Sequence, residues 1–255
     1  MKIAASDYDG TLFRRGQVSR EDLEAIEAWR GRGHLFGPAT GRDLNLIRSE
    51  LELKAIPFDF IICNTGASVY ARDYFPIYLN SLPPGAAEAI IRHPATRSSR
   101  YCLFSKAGKT FIDMWSSESW LTGLGLPLIA IDGQRAMEMS GFQQIGLEFP
   151  SADMAAAGVA AYNRDLGSAM YAQQSGFCVD IVPAGSSKAE GLVELMELER
   201  LTPSQVLAIG DSENDISMLQ RFRGYAMTEA TDEVKSVAAK VVDSVAEMLW
   251  ENMED

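Results

Sequence analysis

Short apolar runs and helical patterns alternate along the first 60 residues, and this alternation restricts the possible folds more than any other feature of the sequence. Strand-like runs at 3–6, 35–40 and 60–64 are separated by helical patterns that begin at Ser19 and near residue 43. Ser19 precedes an acidic first turn, as an N-cap does, and Gly31 and Gly33 end that helix. Strands separated by helices at this spacing pair in parallel, with the helices on the faces of the sheet. The sequence therefore predicts an α/β fold with a parallel sheet.

Between about residues 82 and 184 the pattern changes from alternation to hairpins. Runs at 101–105 and 110–115 flank Lys-Ala-Gly-Lys, which is typical of a hairpin, and two further strand-like runs enclose a helical pattern at 153–166. Near Lys188 the alternation resumes, with a helix to about residue 200 and a strand at 205–210. We therefore predict a first domain formed by 1–81 and 185–255, with an antiparallel α+β domain inserted at 82–184.

The charge balance excludes several classes of partner. The 255 residues contain 35 Asp plus Glu against 23 Lys plus Arg, a net charge of −12 at pH 7. Nucleic-acid binders and proteins that dock on anionic membranes need a basic surface, so we expect neither partner.

No apolar stretch approaches the roughly 20 residues of a membrane span, and no signal-peptide pattern precedes Asp7. The three cysteines are too widely spaced for a zinc site, and their odd, sparse number predicts reduced thiols and a cytoplasmic location.

The segment DYDGTL, residues 7–12, directly follows the first predicted strand. Ligand sites in parallel α/β sheets form beyond the carboxyl ends of the strands, where Asp7 and Asp9 would lie. Two carboxylates this close repel each other, and they are costly at a sheet end unless a cation or a proton compensates. Taken alone, the segment is equally compatible with an ordinary Asp-Gly turn.

Three more polar segments follow a predicted strand or open a predicted helix: Thr40-Gly41-Arg42, Lys188, and GDSEND at residues 210–215. A hydroxyl and backbone N–H groups at a helix start hold anions, and clustered carboxylates suit a hard cation such as Mg²⁺. Each segment alone is also compatible with a helix cap, a solvated lysine or a capped loop. In the predicted fold, these three segments and DYDGTL all lie at one edge of one sheet. Together they predict a Mg²⁺ site from Asp7 and Asp211, a phosphate site from Thr40 and Lys188, and an additional carboxylate, Asp9.

The order and spacing of these segments resemble the haloacid dehalogenase superfamily, in particular its Cof-type phosphatases with the larger α/β (type IIB-like) cap. DYDGTL is similar to the first motif of the family, ATGR at residues 39–42 to the second, Lys188 to the third and GDSEND to the fourth. The resemblance extends over essentially the whole chain. It implies a Rossmann-like catalytic core with an inserted cap. One departure from the family pattern, Glu229, adds a carboxylate near the rim of the site.

The resemblance also implies a role for each residue of the four segments. Asp7 would be the nucleophile that forms an aspartyl-phosphate, and Asp9 would be the general acid and base. Mg²⁺ would be held by Asp7, Asp9 through its carbonyl, and Asp211, with Asp215 in support. The phosphoryl oxygens would be bound by groups that donate hydrogen bonds: Thr40, Gly41, Arg42, Lys188 and Asn214. Thr40 and Lys188 would thereby take part in catalysis.

The predicted function is Mg²⁺-dependent hydrolysis of a phosphate monoester of a small metabolite, and the resemblance favours sugar phosphates. A phosphomutase shares the first half-reaction and stays open as an alternative. A phospho-accepting signalling receiver also combines Asp, Mg²⁺, Thr and Lys on an α/β sheet. The second carboxylate at Asp9 and the inserted domain argue against the receiver. We expect a monomer or a weak homodimer.

Overall fold

The computed structural model describes residues 1–121 and 125–254, which form two compact units. The first unit comprises Met1–Gly41, Glu50–Tyr78 and Ser187–Asp255, and the second comprises Arg42–Ser49 and Leu79–Ser186. The second unit thus holds residues 42–49 in addition to the segment that the sequence analysis assigned to the inserted domain. The boundaries at 81/82 and 184/185 stay a prediction.

The described residues contain fourteen strands and nine α-helices. The strands are β1 (Ile3–Asp7), β2 (Leu35–Ala39), β3 (Phe60–Cys63), β4 (Ser68–Ala71), β5 (Pro76–Leu79), β6 (Tyr101–Lys106), β7 (Lys109–Met114), β8 (Leu128–Ala130), β9 (Gln144–Glu148), β10 (Met170–Ser175), β11 (Cys178–Pro183), β12 (Val206–Gly210), β13 (Arg223–Met227) and β14 (Lys240–Val242). The helices are α1 (Arg20–Gly31), α2 (Leu44–Leu53), α3 (Ala86–Arg92), α4 (Gly133–Met137), α5 (Ala152–Asp165), α6 (Lys188–Leu198), α7 (Ile216–Arg221), α8 (Asp232–Val237) and α9 (Val245–Glu251).

An eight-stranded sheet with the order β14-β13-β12-β1-β2-β3-β4-β5 organises the first unit. β1 pairs in parallel with both β12 and β2, so Ser6 lies opposite Ile209 and Asp7 lies opposite Ala39. Every residue of β1 and β12 is buried, as expected for parallel strands that are covered on both faces. The predicted α/β fold is confirmed. The register brings the carboxyl ends of β1, β2 and β12 to one edge of the sheet.

Local sequence explains where the first helix begins. The Ser19 side chain accepts a hydrogen bond from the backbone N–H of Asp22, which satisfies one of the unpaired donors at the helix start. Ala25, Ile26 and Trp29 are spaced on one helical face and are all buried. The predicted N-cap of α1 is therefore confirmed.

The turn after β3 departs from the predicted strand–helix alternation. Asn64, Thr65 and Gly66 have positive φ angles of 53°, 53° and 86°, and this left-handed turn reverses the chain into β4, which pairs antiparallel with β3. Neither β4 nor β5 was predicted from the sequence. Non-glycine residues rarely adopt such angles, so composition alone did not indicate the reversal.

The second unit is built on a six-stranded sheet with the order β10-β11-β9-β6-β7-β8. The predicted hairpin around Lys-Ala-Gly-Lys is present as β6 and β7, and the run at 169–182 is a second hairpin, β10 and β11. All pairs are antiparallel except β7 with β8. One face of the sheet packs against α3 and α5 around a buried core that includes Phe104, Ile145 and Tyr162. The predicted α+β character is confirmed.

No helix within residues 1–121 and 125–254 combines the length and the apolar character that crossing a bilayer demands.

Candidate active site

Asp7 and Lys188 form a buried ion pair at the carboxyl edge of the first unit's sheet. Asp7 is the last residue of β1, and Lys188 is the first residue of α6, whose N-cap is Ser187. The Lys188 Nζ lies 2.5 Å from Asp7 Oδ1 and 2.6 Å from Asp215 Oδ1, and the lysine has no exposed surface. A cation at a helix N-terminus opposes the helix dipole, and these two carboxylates compensate for that placement. The structure therefore brings together three of the predicted site segments, those that contain Asp7, Lys188 and Asp215.

Asp215 holds the loop after β12 through both of its carboxylate oxygens. Its Oδ1 accepts from Lys188, and its Oδ2 accepts from the backbone N–H groups of Asp211 at 3.0 Å and Ser212 at 3.1 Å and from the Ser212 hydroxyl at 3.2 Å. Gly210 makes this possible, since a Cβ there would lie 2.4 Å from the Asp215 Cγ. Asp215 is thus fully engaged with protein donors, which fits a supporting position beside the site.

Asp211 is oriented by a hydroxyl that the sequence analysis left without a role. Thr11 Oγ1 donates to Asp211 Oδ1 at 2.6 Å, and Thr11 is completely buried. Gly10 has a φ of 93°, and a Cβ there would lie 2.5 Å from Asp211 Oδ2. The signal for Thr11 was its place in DYDGTL, but a contact between residues 200 positions apart in the chain cannot be found from spacing.

Burial dominates the electrostatics of these groups. Desolvation raises the pKa of Asp7 well above its usual value, the Lys188 charge counteracts this, and the Asp215 charge adds to it. Burial alone would lower the pKa of Lys188, but the charges of Asp215 and Asp7 outweigh it and raise that pKa. Burial also raises the pKa of Asp211, although the hydrogen bond from Thr11 lowers it in part. The lysine therefore remains charged between carboxylates that are poorly solvated.

These carboxylates fit a divalent cation. One oxygen each from Asp7, Asp211 and Asp215 lies within 4.8 Å of the others. Asp7 Oδ2 is buried and has no hydrogen-bond partner, although Asp7 Oδ1 is bound by Lys188. An unpaired buried carboxylate oxygen is costly, and a hard cation with oxygen ligands would satisfy it. Asp9 is exposed and is not a member of this three-carboxylate cluster, so its predicted contribution to the metal remains its carbonyl.

The remaining residues predicted to bind phosphate lie directly after β2 and, for Asn214, in the loop after β12. Thr40 is buried, its N–H donates to the carbonyl of Ile62, and its carbonyl accepts from the N–H of Thr65. Gly41 is the last residue before the chain enters the second unit at Arg42, and both are half-buried. Asn214 is exposed, and its Oδ1 lies 3.3 Å from Lys188 Nζ. The roles of Thr40, Gly41, Arg42 and Asn214 toward phosphate stay predictions.

Gly66 determines how closely the turn after β3 approaches the start of α6. A Cβ at Gly66 would lie 1.8 Å from the carbonyl oxygen of Ser187, the residue before Lys188. The Ser187 carbonyl also accepts the N–H of Gly191 at 3.2 Å, so it cannot move away without loss of a helix hydrogen bond. The position of Lys188 therefore depends on a glycine at 66.

We expect Gly66→Ala to destabilise the protein more than Gly33→Ala. Both glycines have positive φ, but nothing lies within 4 Å of a Cβ at Gly33. A left-handed backbone costs roughly 1–2 kcal/mol for either variant, and the overlap at Gly66 adds about 1–3 kcal/mol. Urea unfolding of the two variants measures the difference. Equal losses of unfolding free energy would contradict the close approach.

A known protein family matches nearly the whole chain. Residues 4–248 match the family model of haloacid dehalogenase-like hydrolases. This chain is a haloacid dehalogenase-like hydrolase. The resemblance stated from the four motifs is thus confirmed.

Relatives of this haloacid dehalogenase-like hydrolase extend over nearly its full length. It is 25% identical to an HMP-PP phosphatase of Klebsiella pneumoniae (strain 342), over 92% of this chain and 87% of that one. It is 26% identical to a phosphoglycolate phosphatase of Natronomonas pharaonis, over 94% and 90% of the two chains.

Solved structures support the same fold for the hydrolase. A haloalkanoate-superfamily phosphatase of Bacteroides thetaiotaomicron matches with a TM-score of 0.77 and 25% identity over 99% of this chain and 94% of that chain. A subclass IIB sugar phosphatase matches with a TM-score of 0.80 and 21% identity over 99% of both chains, and this likeness concerns the fold alone. The predicted architecture, a parallel-sheet core with a cap domain, is therefore confirmed.

Proposed function

We propose that this hydrolase is a Mg²⁺-dependent phosphatase for small phosphorylated metabolites that acts through an aspartyl-phosphate on Asp7. The family membership and the phosphatase names of both full-length relatives identify the broader class, a phosphoric monoester hydrolase. The observation that carries the finer proposal is the state of the Asp7 carboxylate. One of its oxygens is bound by Lys188, and the other is buried without a partner beside Asp211.

The metal proposal rests on the donor set of the site. Asp7, Asp211 and the Asp9 carbonyl would hold Mg²⁺, and Asp215 would support them from its position between Lys188 and the loop after β12. Bound Mg²⁺ supplies positive charge that offsets the charge of the phosphoryl oxygens. Carboxylate and carbonyl oxygens are the ligands that this hard cation prefers.

The chain's own residues account for the two displacements. A carboxylate oxygen of Asp7 attacks phosphorus, the bond from phosphorus to the ester oxygen breaks, and the leaving alkoxide takes a proton from Asp9. Water then attacks the phosphorus of the aspartyl-phosphate, gives its proton to Asp9, and releases Asp7 and inorganic phosphate. Exposure of Asp9 suits exchange of protons with the leaving group and with water. Lys188 and Thr40, with the Gly41 amide, Arg42 and Asn214, would hold the phosphoryl oxygens.

The relatives and the structural neighbour indicate which phosphate esters to test first. Sugar phosphates are the first class to test because a subclass IIB sugar phosphatase shares the fold. HMP-PP and phosphoglycolate belong in the same panel because the two full-length relatives are named for them. Release of inorganic phosphate from any member supports a phosphatase. Rearranged sugar phosphate without release of inorganic phosphate would instead identify a phosphomutase.

Removal of the metal tests the proposed function. We expect EDTA to abolish phosphate release and added Mg²⁺ to restore it. The carboxylates of Asp7 and Asp211 repel an anionic phosphate group unless a bound cation offsets their charge. Phosphate release is measured on the best substrate of the panel before chelation, after chelation and after addition of Mg²⁺. EDTA that is saturated with Mg²⁺ beforehand is the control and should have no effect. Full turnover by the chelated, metal-free protein would overturn the proposal.

A further inference from the structure

We propose that Arg14 and Asp22, which lie outside all four motifs, form a positioning pair that orients Asp211 for a divalent ion through Thr11. The inference rests on the proposed function in one respect, the use of a divalent ion at Asp7 and Asp211. It adds a support behind the metal ligands that no sequence motif indicates. All residues involved belong to the first unit.

The Asp211 carboxylate is restrained by Thr11 and by its close approach to Gly10. Its Oδ1 accepts the Thr11 hydroxyl at 2.6 Å, while its Oδ2 lies over Gly10, where a side chain would collide with it. Thr11 therefore restrains the position of the Asp211 carboxylate. A hydroxyl that holds one oxygen leaves the other free to bind a cation, and such outer contacts tune metal affinity.

The backbone of Thr11 is restrained in turn by Arg14. Arg14 Nη1 donates to the backbone carbonyl of Thr11 at 2.7 Å. Arg14 also exchanges two backbone hydrogen bonds with Gln17, at 3.0 and 3.1 Å, which closes the loop on which it lies. The guanidinium thus holds the backbone of the DYDGTL segment at Thr11, the residue whose hydroxyl binds Asp211.

Arg14 is held in place by the buried carboxylate of Asp22. Its Nη2 lies 3.1 Å from Asp22 Oδ2, and Asp22 is completely buried. Asp22 also accepts from the Ser19 hydroxyl at 2.6 Å and from the N–H of Ala246 at 2.8 Å. Asp22 therefore fixes Arg14 to the starts of α1 and α9. A buried carboxylate with this many partners is rigid, and it requires a cation to balance its charge.

The consequence concerns the affinity for the ion. A ligand that is already oriented before the ion arrives loses less freedom on binding, so the chain Asp22–Arg14–Thr11–Asp211 should strengthen binding. Mutation of groups that orient metal ligands typically weakens metal affinity about 10–100-fold. Because Arg14 acts through Thr11, its effect should disappear once the Thr11 hydroxyl is removed.

The test is a double-mutant cycle read by calorimetric titration of the metal-free protein with Mn²⁺ alone, without substrate. We expect Arg14→Met and Thr11→Val each to weaken Mn²⁺ binding about 10-fold, and the double variant to be no weaker than Thr11→Val. Arg15→Met is the matched control, since Arg15 is exposed and pairs with the exposed Glu229 on the surface. It should bind Mn²⁺ as the wild type does.

Two results would overturn the proposal: wild-type affinity in Arg14→Met, or losses that multiply in the double variant, as independent structural damage would produce. If Arg14→Met does not fold, Arg14→Lys replaces it, because lysine keeps the charge beside Asp22 but lacks the second arm to Thr11. Wild-type affinity in a folded Arg14→Lys variant would equally overturn the proposal. Absence of Mn²⁺ binding by the wild type would contradict the proposed function itself, so the two failures are distinguishable.

Discussion

Asp7→Asn is expected to lower turnover by at least about 10³-fold, because an amide cannot act as the nucleophile that accepts the phosphoryl group. The variant should keep its fold. Asparagine has nearly the same shape as aspartate, and its carbonyl oxygen can accept the hydrogen bond that Lys188 donates to Asp7 Oδ1. Phosphate release and thermal unfolding are measured on the same preparation.

The sign of the stability change gives a second readout for Asp7→Asn. The pKa of Asp7 is raised in the folded protein, chiefly by burial, so its ionised form is disfavoured by folding at neutral pH. We therefore expect the unfolding temperature of the variant to equal or exceed that of the wild type. Asp153→Asn, at an exposed position in the first turn of α5, is the matched control and should retain full activity. Turnover of Asp7→Asn within tenfold of the wild type would refute the nucleophile assignment.

Lys188→Met is expected to reduce the free energy of unfolding by about 3–5 kcal/mol, in addition to abolishing activity. Removal of the lysine leaves Asp7 and Asp215 as buried carboxylates without their shared cation, and one-sided removal of a buried ion pair costs this much. Urea unfolding in EDTA measures the loss. The additional substitution Asp7→Asn should recover part of the stability, because it removes one of the two buried carboxylate charges that have lost their cation.

The chain offers a matched control for Lys188→Met. Lys240 also pairs with two carboxylates, those of Glu247 and Glu251, but its side chain is 45% exposed. Exposed ion pairs contribute little because water replaces the lost partner. Lys240→Met should therefore cause a much smaller loss of stability and leave activity unchanged. Equal losses of unfolding free energy in the two lysine variants would show that burial does not explain the contribution of Lys188 to stability.

Much of the fold was predictable because apolar periodicity and capping residues act locally. Ser19 identified the start of α1, and the spacing of strand-like runs identified β1, β2, β3 and β12 within one or two residues. The reversal at Asn64–Gly66 was not predictable, since the left-handed angles of Asn64 and Thr65 are imposed by their surroundings. Residues 42–49 group with the second unit for a similar reason. Asp43 accepts hydrogen bonds from Ser105 and Thr110, and no local pattern indicates such pairing.

The candidate site was predictable in its residue types but not in its internal contacts. Parallel strands end at one edge of a sheet, so residues after β1 and β12 were expected to meet, and the cluster of Asp7, Asp211 and Asp215 agrees with that expectation. Which carboxylate binds which donor depends on atomic positions. The engagement of both oxygens of Asp215 and the Thr11 bond to Asp211 therefore emerged only from the structure.

The adjacency of β1 and β12 in the sheet has a consequence during synthesis on the ribosome. The first strand leaves the ribosome with one of its two final neighbours missing, and at about 5–20 residues per second the other follows roughly 10–40 s later. During that interval a strand edge with unpaired backbone N–H and C=O groups is exposed, the kind of surface that promotes association between chains. Nascent chains of this protein should therefore depend on chaperones until residue 210 has emerged, and fragments truncated before that point should aggregate and lack activity.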